Sequence, residues 1–503
     1  MSSSPGFQDH QNGAAGAASW IKALRFEHID SHFTSIRAAH TGTCEWLFAN
    51  KVYEEWRDSS QAHVHHGFLW VKGKPGAGKS TLMKYAYLRG QKIHANDATL
   101  SHFFSARRSL LHCSAEGMYR SLLCQLLRKF PQLSFSLQSL GLGLDQDCAF
   151  WQKEHLETLL REAVLNLPSE HVTCYVDAID ECEYADAQDI VDFLQELHQA
   201  AKYSGIEFFV LISSRHFPQL SVEGHLQITL DHIAEHEADL CLYICDKLRL
   251  GESCKANKIR DSLQQRASGI FLCVMLIIRI LNEDKARGKV HLLEDHLDSL
   301  PEDLNHLFEK MLQHDAGDKS VLLLTIQWLL FADRSLRLDE FYFALVTNDL
   351  SDDIQGWDRD EVNVTDMKNF VLNTSNGLIE VTDETVPTVQ LIHGTVRHYL
   401  INTWLPSQHA QPMAVSTGLC HGRLWKCCRN YILRSSPVLL PTPKHGVREE
   451  MSRCFRMAAD FRSRINKSHP FLGYALHGIV LHSNASQSLG VQQQDLIRDF
   501  PLD

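Results

Sequence analysis

The chain has no apolar run long enough to cross a bilayer. Its longest extends from Ile270 to Ile278 and is closed by Arg279, far short of the ~20 residues a span needs. That run reads as a buried helix, and no membrane span is expected. Residues 1–19 are rich in Ser, Gly, Ala and Gln. They lack the basic start and apolar centre of a secretory signal. No Lys/Arg run of five occurs, and the net charge is −12. A surface so short of positive charge is a poor general partner for nucleic acid, which is not expected to bind. The 14 cysteines include no CxxC pair. Cys241 and Cys245 lie one helical turn apart and Cys427 and Cys428 are adjacent, and neither spacing makes a zinc framework. They read as reduced thiols of a cytoplasmic protein, mostly small buried hydrophobes. No repeat with a period of 20–50 residues is present.

What is present is ordinary globular material: 503 residues, 44% hydrophobic and 22% charged. That length allows several domains and large cores. Residues 1–19 read as a disordered tail, and 20–66 as a helical segment anchored by Trp46 and Trp56. From 67 to 230, short apolar runs alternate with helical stretches. The runs are Phe68–Val71, Thr99–Phe104, Thr173–Ile179, Phe208–Ser213 and, more weakly, Leu226–Leu230. The helical stretches include Met118–Lys129, Trp151–Leu165 and Gln188–Tyr203. This alternation predicts an α/β core, a parallel sheet with helices on both faces. Residues 231–315 read as all helical. In 316–405, helical runs Leu322–Phe331 and Leu338–Val346 precede two β-like runs, Gly377–Val381 and Thr388–Ile392. That order predicts a winged helix with its wing at Thr382–Pro387. Residues 406–503 read as a helical C-terminal segment.

The chemistry concentrates at Gly73-Lys74-Pro75-Gly76-Ala77-Gly78-Lys79-Ser80-Thr81, which fits GxxxxGK[ST]. Glycines let successive amides face one anion. Lys79 can reach the β- and γ-phosphates, and Ser80 can give a hydroxyl to Mg²⁺. A helix starting near Lys79 would aim its positive end at the phosphates. A second apolar run ends in Asp177, placed to hold the magnesium through water. Asp180 and Glu181 follow, where a carboxylate could orient an attacking water. A third run ends in Ser213-Ser214-Arg215, so Arg215 should sense the γ-phosphate beside Asp177 at the carboxyl edge of the sheet. His63, His65 and His66 read as a solvated linker. His393, at a strand–helix junction, reads as a cap or a core contact.

The stretches GKPGAGKST, DAIDEC and SSRHFP together resemble the NACHT-type nucleotide-binding domains of STAND signalling ATPases, in particular the fungal NLR-like proteins. HTGTCEWL, EGMYRSLLCQLL, ASGIFLCVMLIIRIL, VQLIHGTVRHYL and FLGYALHGIVLH extend the resemblance over about residues 20–480. It implies a P-loop NTPase core, an all-helical domain, a winged-helix domain and a helical C-terminal segment. It implies an ATP/ADP switch with Mg²⁺, hydrolysing slowly and oligomerising with itself or with NACHT relatives to reach an effector protein. The setting would be fungal NLR-like innate immunity or heterokaryon incompatibility. The family's phosphate-loop lysine, magnesium aspartate and sensor arginine fall on Lys79, Asp177 and Arg215. Its winged-helix histidine, which contacts the ADP β-phosphate, falls on His393. Phe271, after Gly269, stands where the family's GxP motif has proline, and the adenine is expected near Thr43. Relatives usually carry an effector domain and a repeat array; this sequence shows neither. The alternatives are a non-hydrolysing interaction protein that associates with full-length relatives, a constitutive remodelling motor, and a DNA-binding winged helix.

Overall fold

Strands form where β-branched and aromatic residues cluster between helices. The computed structural model describes residues 5–26, 29, 31–93, 96–105, 110–140, 151–216, 220–267, 269–300, 303–313, 319–346, 362–375, 377–382, 386–408, 413–439 and 467–491. It divides into two units, Met1–Glu302 and Asp303–Asp503.

The first unit is built on β1 (Phe68–Lys72), β2 (Ala98–Phe103), β3 (His171–Asp177), β4 (Glu207–Ser214) and β5 (His225–Thr229). The order across the sheet is β2-β3-β4-β1-β5, and every pairing is parallel. Alternate residues face opposite layers, as strand geometry requires. Phe68 and Trp70, with Val210 and Ile212, face a core shared with helices Ala115–Lys129, Lys153–Leu165 and Tyr184–Tyr203. Leu69 and Val71, with Phe209 and Leu211, face the helix Lys79–Ile93 together with Tyr53 and Trp56. The expected sheet with helices on both faces is therefore what the chain forms.

The N-terminal stretch corrects the expectation of a disordered tail over residues 1–19. From Pro5 to Leu24 it is a helix; residues 1–4 lie outside the described residues. Pro5 suits the first position, where its missing N–H costs nothing, and the alanines from Ala14 to Ala18 favour continuing the helix. Ala17, Trp20 and Leu24 then share one face and are buried against the sheet's helical layer. Its last carbonyls are capped from the core: Arg120 Nε donates to Leu24 O at 2.8 Å and Trp151 Nε1 to Ala23 O at 3.2 Å. Truncating a tryptophan as enclosed as Trp20 costs about 3 kcal/mol.

The linker reading also fails for His65, which is buried and whose Nδ1 accepts the Gly67 N–H at 3.1 Å. It holds the turn that enters β1. The side chain of His63 lies outside the described residues.

After β5 come helices Ala234–Lys247, Cys254–Ala267, Phe271–Ala286 and Leu293–Ser299. They belong to the first unit. The second unit begins with the helix Leu304–Gln313, whose Phe308 ring lies 5.5 Å from that of Tyr399. It continues with helices Lys319–Phe331, Leu338–Val346 and Val364–Asn373, then β6 (Ile379–Val381) antiparallel to β7 (Val389–Leu391). The hairpin stem closes through Thr382 N–H donating to Thr388 O at 2.9 Å; residues 383–385 of the expected wing lie outside the described residues. The helix Gly394–Tyr399 follows β7 and widens into a π-turn at Leu400–Trp404. Pro406 lacks the N–H that would continue the tighter ladder. One apolar core joins these elements to the long helices Met413–Leu439 and Leu472–Ser488, with Trp328 fully buried within it.

Among the described residues no helix is long and apolar enough to cross a membrane, and no cluster of three His, Cys, Asp or Glu could hold a metal. The twelve described cysteines form no disulfide.

Candidate nucleotide site

The loop between β1 and the helix Lys79–Ile93 sits at the carboxyl edge of the sheet. Gly76 and Gly78 take φ values of 78° and 95°, a region that glycine enters without steric cost. Gly76 has a second reason to be glycine: a Cβ there would stand 2.8 Å from Leu272 Cβ. The Gly76 carbonyl accepts the Leu272 N–H at 3.0 Å, so the helix Phe271–Ala286 starts directly on the loop. Phe271 also packs here, its ring 3.5 Å from where a Gly78 Cβ would be.

Lys79 bends back over the loop. Its ammonium donates to Gly73 O at 2.7 Å and to Lys74 O at 2.9 Å. Burial pulls its pKa down, while Asp180 and Asp177 oppose that pull.

Asp177 is the last residue of β3 and is fully buried. Its Oδ1 accepts Ser213 Oγ–H at 2.5 Å, and the Ser213 oxygen in turn accepts the Ala178 N–H at 3.0 Å. Among the described residues its Oδ2 has no hydrogen-bond partner. Burial lifts the carboxyl to about 6, against the pull of the Ser213 and Ser80 hydroxyls and of Lys79. A buried carboxylate oxygen without a partner is costly unless something binds it. Beside the Ser80 hydroxyl it suits a hard divalent cation.

Ala178 has φ 54°, unusual for a residue with a Cβ. This kink turns Asp180 and Glu181 back across the sheet edge. Asp180 does not stay open to solvent: it accepts from Arg215 N and pairs with Arg215 Nε, both at 3.1 Å. The β3–β4 pairing thus brings Asp180 and Arg215 together at the sheet edge, as adjacent parallel strands must. Glu181 is half-buried one residue further on.

His393 belongs to the second unit. It caps the helix Gly394–Tyr399, its Nδ1 accepting the Thr395 N–H at 3.1 Å and meeting Thr395 Oγ1 at 2.8 Å. That is the cap function expected of a histidine at a strand–helix junction.

Two carboxylates escaped the sequence reading. Asp239 Oδ2 accepts Cys44 N–H at 2.8 Å and Trp46 Nε1–H at 3.0 Å, tying the HTGTC segment to the helix Ala234–Lys247. Burial raises its pKa. In the same neighbourhood the His40 ring meets Tyr243, and Tyr243 and His236 both meet Phe271. Asp231 follows β5 and accepts the Lys74 N–H at 3.1 Å. Its signal was a carboxylate just past a parallel strand, at the edge where such sheets bind ligands.

A glycine-bent phosphate loop, a lysine and a buried carboxylate at the carboxyl edge of a five-stranded parallel sheet define the P-loop class of nucleotide-binding domains. Residues 42–215 match the family described as "Nephrocystin 3, N-terminal". The chain is also 25% identical over 332 residues to "Vegetative incompatibility protein HET-E-1" of Podospora anserina, covering 61% of this chain. The chain spans 23% of the length of that relative. The resemblance to fungal NACHT proteins of the STAND class is thereby borne out as a distant one.

Proposed function

We propose that the chain is a nucleotide-controlled switch of the STAND type, binding ATP and ADP with Mg²⁺ and hydrolysing ATP slowly. The observation that carries this reading is the unpartnered Asp177 oxygen, buried beside Ser80 at the foot of the phosphate loop. Lys79 and the loop residues Gly73 to Thr81 would hold the phosphates; Ser80 and Asp177 would hold the cation. Mg²⁺, once bound, supplies the positive charge that offsets the clustered phosphates. Glu181 is the carboxylate assigned to orient water, with Asp180 acting on Arg215 rather than on solvent.

The helices Lys319–Phe331, Leu338–Val346 and Val364–Asn373 with the β6–β7 hairpin fit a winged helix, which we assign to that domain. The resemblance gives His393 the task of favouring the ADP-bound resting state. ATP then acts through differential affinity for resting and open forms, and the open form assembles with copies of itself or with related NACHT chains. Heterokaryon incompatibility or a related fungal defence response is the setting that the similarity to HET-E-1 supports.

A second reading, a non-hydrolysing regulator, has one observation in its favour: Asp180 is already engaged by Arg215. Nucleotide content decides first. Freshly purified protein is expected to release stoichiometric ADP on denaturation, and Lys79→Ala none. Empty wild-type protein would defeat the switch. ADP that exchanges for ATP without turnover over hours would favour the regulator. His393→Ala is expected to raise the oligomeric fraction in ATP by light scattering; a wholly monomeric variant would count against its assigned role.

A further inference from the structure

Two consecutive residues at the tip of β4 hold carboxylates that belong to different strands. Arg215 grips Asp180, which follows β3. His216 Nε2 lies 2.6 Å from Asp231 Oδ2, and Asp231 follows β5. The Asp231 side chain is 7% exposed and that of His216 is 39% exposed. Asp231 spends its other oxygen on the Lys74 N–H. Burial alone would raise this carboxyl, but Lys74 N–H and His216 outweigh it and hold it below the usual carboxylate range.

The Lys74 N–H and the Gly73 carbonyl belong to the same peptide group. Asp231 therefore holds one edge of that peptide while the Lys79 ammonium holds the opposite edge, 2.7 Å from Gly73 O. Leu230 closes a third direction, since a Cβ at Gly73 would come within 3.2 Å of Leu230 Cβ. The first peptide of the phosphate loop is thus fixed by contacts that run back to the tip of β4.

We propose that His216 is a positioning residue for the phosphate loop. It orients Asp231, and Asp231 fixes the Gly73–Lys74 peptide from which the anion-binding turn begins. A loop held in shape before a phosphate arrives loses less freedom on binding one. This inference rests on the nucleotide-binding reading above.

The test is titration of a fluorescent ADP analogue into nucleotide-free full-length protein, beside urea unfolding of the same samples. His216→Ala is expected to bind about tenfold more weakly, the scale of one hydrogen bond to a charged group. His216→Gln, whose amide can still donate to Asp231, should stay within about threefold of wild type on the same scale. The double variant His216→Ala/Asp231→Ala should bind no worse than Asp231→Ala alone, because the histidine acts only through the aspartate. Wild-type affinity in His216→Ala would overturn the inference. So would independent, additive losses, or a loss that follows the urea midpoint and is not rescued by glutamine. Absence of binding by the wild type itself would overturn the nucleotide reading and this inference with it.

Discussion

Asp177 in the first unit and Glu340 in the second are both carboxylates removed from water, and they are treated in opposite ways. Glu340 is 3% exposed and fully engaged. Arg334 meets it with two parallel bonds of 2.8 Å, and the Arg337 N–H adds a third at 2.9 Å. Asp177 is more deeply buried, yet among the described residues one of its oxygens has no partner. Its other oxygen accepts from a serine that also serves a neighbouring amide. The second arrangement holds in place the segment that leads into the helix Leu338–Val346. The first leaves a binding debt at the foot of a phosphate loop. The comparison teaches that burial by itself does not mark a functional carboxylate; incomplete satisfaction does.

The sharpest way to break this comparison is to remove each group. Glu340→Ala is expected to destabilise the second unit by about 3 kcal/mol, less than a wholly buried pair would cost because Arg334 reaches solvent. ADP retention by the first unit should not change, and a loss of retention would show that the two carboxylates are not separable in role. Next in size, and opposite in sign, is Asp177→Asn. The carboxyl sits near 6 when folded, against 3.8 for a free aspartate. A raised pKa means that this group's contribution to stability is present below about pH 4 and lost as pH rises through about 6. At pH 8 the wild type carries the ionised, half-paired carboxylate, so the amide should be more stable by up to about 3 kcal/mol without nucleotide. The gain should vanish near pH 4, and urea midpoints at the two pH values decide it. The same variant should lose Mg²⁺-dependent nucleotide binding, and wild-type Mg²⁺ dependence should fade as pH drops through about 6. The smallest effect expected is Asn363→Ala. Asn363 accepts from Thr365 and Asp366 in a capping box at the start of Val364–Asn373. Its loss should cost about 1 kcal/mol, read as a lower thermal midpoint with nucleotide affinity unchanged.

Within the first unit the sequence disclosed some groups and hid others. Strand runs such as Phe68–Val71 and Phe208–Ser213 were legible because apolar runs between helices have few other uses. Lys79, Ser80 and Asp177 were legible because phosphate binding imposes a local spacing. Asp231 and Asp239 were not. Their partners are the Lys74 amide, His216, the Cys44 amide and Trp46. Contacts made through space between distant segments leave no period to read. The pairing of Asp180 with Arg215 was hidden for the same reason, and that pairing changes what Asp180 can do. The first helix was hidden by composition: Ser, Gly and Ala look like a tail until Ala17, Trp20 and Leu24 are seen to share a face. The finer division expected at 405/406 is not a boundary of packing, since residues on both sides of it share one core.

The bond from Leu272 N–H to the Gly76 carbonyl has a mechanical consequence. The helix that begins there, Phe271–Ala286, has 16 residues, and at 1.5 Å per residue is about 24 Å long. Its first turn rests on the phosphate loop like a lever on its fulcrum. A rigid rod of that length tilted by about 5° sweeps its far end through about 2 Å. A change in the loop too small to disturb the sheet is thereby multiplied at the distal turn near Asp284 and Ala286. The missing side chain at Gly76 lets fulcrum and lever touch, and a methyl group there would hold them apart.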